Sequence, residues 1–182
     1  MEFQYKLNGL GWADGFIEIN SQKCTFSASY VTDAFGDLLE SILSLVTREE
    51  HTVTILWDEE PAGVEWILAR QMDDTLSITI KRYDDASEMY EGPNEIPVHT
   101  NYPFRDFIAQ IIKAADELLL THGVVGYRKK WDQYDFPLSS YLQLKQFLFE
   151  EEITKGDCNR SNLHEELKLL MEVFPNDTHS LS

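Results

Sequence analysis

The chain is poor in cysteine, in positive charge and in uncharged apolar runs. Its two cysteines, Cys24 and Cys158, stand far apart and fit no ligand or redox spacing. A disulfide framework is thereby excluded, and two free thiols of a reducing cytoplasm are expected. No apolar run approaches the roughly 18 residues of a membrane span. The segment Met1-Glu2-Phe3-Gln4-Tyr5-Lys6 lacks the basic stretch and apolar run of a signal peptide. The expectation is a cytoplasmic protein that does not engage a membrane. Lys and Arg number 15 against 32 Asp and Glu, a formal net charge of −17 over 182 residues. Direct binding to DNA or RNA is disfavoured, because neutralising phosphates needs Lys and Arg. A phosphate-binding loop, a nucleophile with a partner base and a metal-ligand spacing are also missing. His51, His99, His122, His164 and His179 fall in five separate segments, which does not make a zinc site. No catalytic residue, metal or cofactor is predicted.

What the chain does contain is a globular composition, 43% hydrophobic and 12% aromatic, at a length suited to one domain. Phe3, Tyr5 and Leu7 alternate with polar residues as in a strand. Phe16-Ile17-Glu18-Ile19, a turn at Asn20-Ser21-Gln22-Lys23, and Cys24, Phe26 and Ala28 at period two read as a hairpin. From Tyr30 to Val46 the residues Val31, Phe35, Leu38, Leu39, Ile42, Leu45 and Val46 form one helical face, with Ser29 and Thr32 as candidate caps. Three strands follow, through Val53-Ile55-Trp57, Val64 to Arg70 and Leu76 to Tyr83. Their short connections imply antiparallel neighbours. After a polar stretch with an edge strand at Ile96 to Thr100, Pro103 starts a long helix that Gly123 ends. A further helix runs from about Ser139 to Glu151. Asn162 with Glu165 resembles a capping box for a last helix whose face is Leu163, Leu167, Leu170 and Phe174. The predicted fold is α+β: one antiparallel sheet of five or six strands, covered on one face by two helices. Residues 1–154 form this domain, and 155–182 a C-terminal helical appendage that packs back on it.

The acidic excess is concentrated. Asp33 to Glu95 holds 16 acids and 4 bases, a net of 4 − 16 = −12, against −5 for the remainder. Such a concentration serves either solubility or the attraction of a basic macromolecule. The turn Asp58-Glu59-Glu60 lies beside Trp57 and Trp66, Glu65 stands on the following strand, and Asp73 and Asp74 form the next connection. Aromatics make hot spots and acids steer association. Trp57, Asp58, Glu59, Glu60, Glu65, Trp66, Asp73 and Asp74 are therefore the predicted partner-binding residues, unless the tryptophans belong to the core. Asp33, Asp37 and Glu40 share one helical stripe but lack the further oxygen ligands of a cation site. Should the protein instead be an enzyme or a small-ligand domain, Asp33, Asp37, Glu65, His99 and Tyr127 are the first suspects. The basic run Arg128-Lys129-Lys130 suits a helix C-terminus.

Several segments resemble a family of small uncharacterised bacterial proteins found in actinobacteria and some firmicutes. They are Ser29-Tyr30-Val31-Thr32-Asp33-Ala34-Phe35-Gly36-Asp37-Leu38-Leu39, Asp58-Glu59-Glu60-Pro61, Trp66, Gly126-Tyr127-Arg128 with Lys130-Trp131, and Phe136-Pro137. The resemblance implies a domain type and a bacterial cytoplasmic home, and it names no substrate. By type, small acidic α+β chains without catalytic residues are similar to immunity proteins that neutralise toxins. The expected function is thus a non-enzymatic acidic binding protein, most specifically an immunity protein for a basic toxin domain. An enzyme or small-ligand domain, and a regulatory scaffold dimerising through the last helix, are the alternatives.

Overall fold

The computed structural model describes residues 1–150 and 162–172. Seven strands are arranged in two antiparallel sheets, β1-β2-β3 and β4-β5-β6-β7. The first comprises β1 (Glu2–Leu7), β2 (Trp12–Ile19) and β3 (Gln22–Ser29). The second comprises β4 (Thr52–Glu59), β5 (Ala62–Arg70), β6 (Thr75–Tyr83) and β7 (Glu95–Pro103). The α+β class is as predicted, whereas the single sheet of five or six strands is replaced by sheets of three and four.

The physical reason lies at the edge of β3. After this strand the chain leaves to form α1 (Ala34–Thr47), and among the described residues no strand hydrogen-bonds to the far side of β3. Side chains reaching between the sheets bond the facing backbone instead. Glu59 accepts from the Ser27 N–H at 2.6 Å, and Arg82 donates to the Thr25 carbonyl at 2.5 Å. The Gln22 amide both donates to and accepts from the His99 backbone. The strand thus crosses from β7 past β6 to β4, and a side-chain seam stands where a ladder was expected.

The local signals otherwise act as anticipated. Asn20 and Ser21 both take positive φ, 49° and 66°, the geometry of a two-residue hairpin turn. Helix α1 buries Phe35, Leu38, Leu39, Ile42, Leu45 and Val46 and packs on β4. It starts at Ala34 and not near Tyr30, so Val31 is exposed. Neither candidate cap serves it: Ser29 Oγ accepts from Val31, and Thr32 Oγ1 from the Asp58 N–H. At its other end Arg70 donates to the Leu45 and Val46 carbonyls and pairs with Asp74 at 2.7 Å. The second sheet is buried on one face, through Val64, Trp66, Leu68, Leu76, Ile78 and Ile80, and polar on the other, as predicted.

Helix α2 (Phe104–Trp131) packs on β1 and breaks at Gly123, where φ is 64° and ψ 172°. The predicted stop is real, but helix resumes immediately and continues to Trp131. Arg128, Lys129 and Lys130 close its last turn, a favourable place for cations. The next helix, α3 (Leu138–Glu150), packs against α1 and α2. A final helix, α4 (Leu163–Met171), packs against α3, with Leu170 reaching the core. Asn162 caps it by accepting from the His164 N–H at 3.0 Å. Phe174, Cys158 and the 154/155 boundary lie outside the described residues. No helix among the described residues is long and apolar enough to cross a membrane.

Candidate functional site

The predicted partner-binding residues separate into four environments. Trp57 and Trp66 are fully buried, with ring centroids 4.9 Å apart, and Phe26 meets Trp57 edge-on at 4.7 Å. They are the centre of the core and cannot be surface anchors. Glu59 is held by Ser27 and by Arg82 at 3.1 Å. Burial raises its pKa, partly offset by those two donors. Glu65 pairs with Lys81 at 2.8 Å and accepts from Tyr83. Asp74 serves Arg70, and Asp73 accepts from Thr75. The pair Asp73-Asp74 sits at the β5–β6 turn, and the Asp58-Glu59-Glu60 turn at the other end of β5. Nine residues of strand put the two roughly 26 Å apart. The eight residues are therefore not one patch.

A different acidic surface exists at the β4–β5 end. An antiparallel meander brings the β4–β5 and β6–β7 connections to the same end of the sheet. The second connection folds as a 3-10 turn, Ala86–Glu91, on the first: the Ala86 N–H donates to the Pro61 carbonyl at 2.7 Å, and Ala86 Cβ lies over Gly63. Glu60, Asp84, Glu88, Glu91 and Glu95 are exposed there, with Asp58 and Asp85 half-buried. Among the described residues none of these seven carboxylates forms an ion pair with Lys, Arg or His. Tyr90, 82% exposed, belongs to the same 3-10 turn. Sequence reasoning missed this tyrosine because the segment carries no periodicity.

Of the alternative suspects, two meet. Asp33 stands at the start of α1 over the Gly36 backbone, where a Cβ would come within 2.0 Å of its Oδ2. Burial, then Asp37, raises its pKa to about 6, with the neighbouring Gly36 N–H and Trp131 indole acting the other way. Its charge in turn raises the Tyr127 phenol, already pushed up by burial, and likewise Tyr5. The Trp131 indole acts on Asp33 from beyond hydrogen-bond geometry: Asp33 Oδ1, Tyr5 Oη, Tyr127 Oη and Trp131 Nε1 are all buried, and none reaches a partner at bonding geometry. Glu65 and His99 sit elsewhere, on the outer sheet face, where Thr79 holds the His99 ring at 2.9 Å. Asp37 is exposed on α1. Among the described residues no group of three or more His, Cys, Asp or Glu could hold a metal ion.

The Asp33 shift fixes a sign. A folded-state pKa raised from 3.8 to about 6 means that the fold favours the neutral acid. The stabilisation is full below the ordinary carboxylate range and is lost as pH rises through about 6. Asp33→Asn will therefore melt higher than wild type at pH 7.5 and equal to it near pH 4. About two pKa units convert to about 3 kcal/mol; solvent screening of this half-buried group reduces that to about 1 kcal/mol. Thermal melts across pH check it, and a difference independent of pH contradicts it.

Two further titratable groups differ from simple expectation. Cys24 is buried in mid-strand, and burial pushes its thiol up to about 11, which keeps it inert. Burial and Lys130 both lower the pKa of His122.

A buried network lies between α2 and α3. Lys145 is fully enclosed and donates to Asp116 Oδ1 at 2.9 Å and to Tyr141 Oη at 2.7 Å, while the Tyr141 hydroxyl donates to Asp116. Burial and Asp116 raise the Tyr141 pKa. Beside the network is a cavity of about 210 Å³ lined by Asp116, Tyr141, Leu119, Leu120, Val124 and Leu170, at the Gly123 break. The signal for it is present in the sequence: Asp116 and Lys145 occupy positions on otherwise apolar helical stripes, where a charge needs a partner.

No family model, no curated protein and no solved structure matches the chain.

Proposed function

We propose that the protein is a non-enzymatic acidic binding protein that captures a basic protein at the β4–β5 end. In its most specific form it is an immunity protein that neutralises a basic toxin domain. One observation carries the reading: seven carboxylates, none ion-paired among the described residues, belong to the same end of the sheet as the exposed Tyr90. Such a field accelerates the approach of a cation-rich surface. An exposed aromatic in the same turn supplies apolar contact at small entropic cost. The turn beneath is anchored to a rigid sheet, so little ordering is needed on binding.

The test is affinity capture from the native host at low salt, with Glu60→Gln/Glu88→Gln/Glu91→Gln protein as control. A basic protein retained by wild type, lost from the control and released by about 0.5 M salt is the expected result. Retention of only neutral or acidic proteins, or equal retention by the control, contradicts the proposal.

A further inference from the structure

We propose that the cavity between α2, α3 and α4 is a binding site for a compact, uncharged ring compound carrying one hydroxyl group, which donates to Tyr141 Oη. This is independent of the acidic surface, because the cavity lies among the helices and not at the β4–β5 turn.

Size comes first. The cavity measures about 210 Å³. A dry apolar cavity of about 150 Å³ accommodates benzene, so this one suits a single substituted ring. Its walls are mostly Leu119, Leu120, Val124 and Leu170, which favours an apolar body.

The polar end decides the functional group. Asp116 and Lys145 are a buried ion pair, so their charges already balance. A cationic or anionic ligand would add an uncompensated buried charge, which is strongly unfavourable. The Tyr141 hydroxyl has given its proton to Asp116 and one lone pair to Lys145. A phenolic oxygen retains a second lone pair. What this wall offers a ligand is therefore an acceptor, and a neutral hydroxyl is the matching donor.

Access is also built in. Helix α2 is interrupted at Gly123, on the cavity wall. Leu170 closes the other side from α4, a nine-residue helix with no buried residue. An element with so little burial opens at low free-energy cost, so displacing α4 admits a ligand while the β core stays intact. A buried ion pair is not in itself a stabilising device, since apolar residues of similar volume do as well or better. Here the pair fixes the orientation of Tyr141 beside the cavity.

The experiment uses the full chain with methyl-labelled Leu and Val, titrated with phenol and separately with toluene. Saturable shifts are expected on Leu119, Leu120, Val124 and Leu170, with phenol bound several-fold more tightly, the worth of one hydrogen bond. An all-apolar cavity has the reverse preference, because the hydroxyl is left unpaired. Leu120→Trp, at a residue 70% exposed, fills the mouth and abolishes binding of both probes without disturbing the fold. Tyr141→Phe removes the preference for phenol. Toluene binding as tightly as phenol or more so, shifts that do not saturate, or undiminished binding to Leu120→Trp overturns the assignment. Should Tyr141→Phe not fold, the toluene comparison and Leu120→Trp decide the matter.

Discussion

Lys145→Met will lower the stability of the protein by about 3–5 kcal/mol, the usual effect of removing one partner from a buried pair. Lys145 is fully enclosed, and its ammonium is the cation that balances Asp116 at 2.9 Å. Without it the carboxylate keeps the Tyr141 donor but loses its counter-charge in a site shielded from water. Asp116→Leu in the same chain will restore most of the loss, since two apolar groups need no mutual compensation. Tyr141 then loses its acceptor, which leaves about 1 kcal/mol unrecovered. Urea unfolding of the single and double variants measures the coupling. A loss under about 1 kcal/mol for Lys145→Met would show that the network is more hydrated than its burial implies.

The second large effect concerns the tryptophans. Trp66→Ala will destabilise the fold by about 3–5 kcal/mol, within the range for emptying an aromatic site. Trp66 packs against Trp57, Phe3 and Phe26, joining the two sheets. Trp66→Phe will cost far less, about 1 kcal/mol. The ring stays, and the indole Nε1, which is buried without a hydrogen-bond partner, disappears; its removal offsets part of the lost packing. Binding of a basic partner by folded Trp66→Phe will equal that of wild type. A loss of affinity at unchanged stability would return the tryptophan to the binding surface.

These two cases show what periodicity conveys. Val53, Ile55 and Trp57 share one face of their strand, opposite Thr52, Thr54 and Leu56, and Val64, Trp66 and Leu68 share one face of theirs, opposite Glu65 and Ile67. That alternation already placed both indoles with the inward set, and the surface reading of them worked against it. The charges of Asp116 and Lys145 interrupt apolar stripes in the same legible way, but only packing reveals that they meet. Five of the seven strands and the four helices of the described residues follow from spacing and breakers; β2 was legible only from Phe16 and β7 only from Ile96 to Thr100. The division into two sheets was not accessible, because nothing in a strand's alternation says which neighbour it pairs with. Here it depends on Glu59, Arg82 and Gln22 replacing ladder bonds along β3. The same seam removed Glu59 from the predicted patch, as the Arg70 contact removed Asp74. The acidic end, by contrast, follows from connectivity. In a meander alternate turns coincide, so Glu60 meets Asp84 to Glu95 while Asp73 and Asp74 lie at the far end.

The separation of those two ends permits the most direct test. A lysine-rich peptide is titrated at low salt into wild type, into Glu60→Gln/Asp84→Asn/Glu88→Gln/Glu91→Gln, and into Asp73→Asn/Asp74→Asn. Local capture predicts an affinity at least tenfold weaker for the first variant, a shallower salt dependence, and no change beyond twofold for the second. Equal weakening by the two variants would mean that only net charge matters, and it would contradict a binding surface at the β4–β5 end.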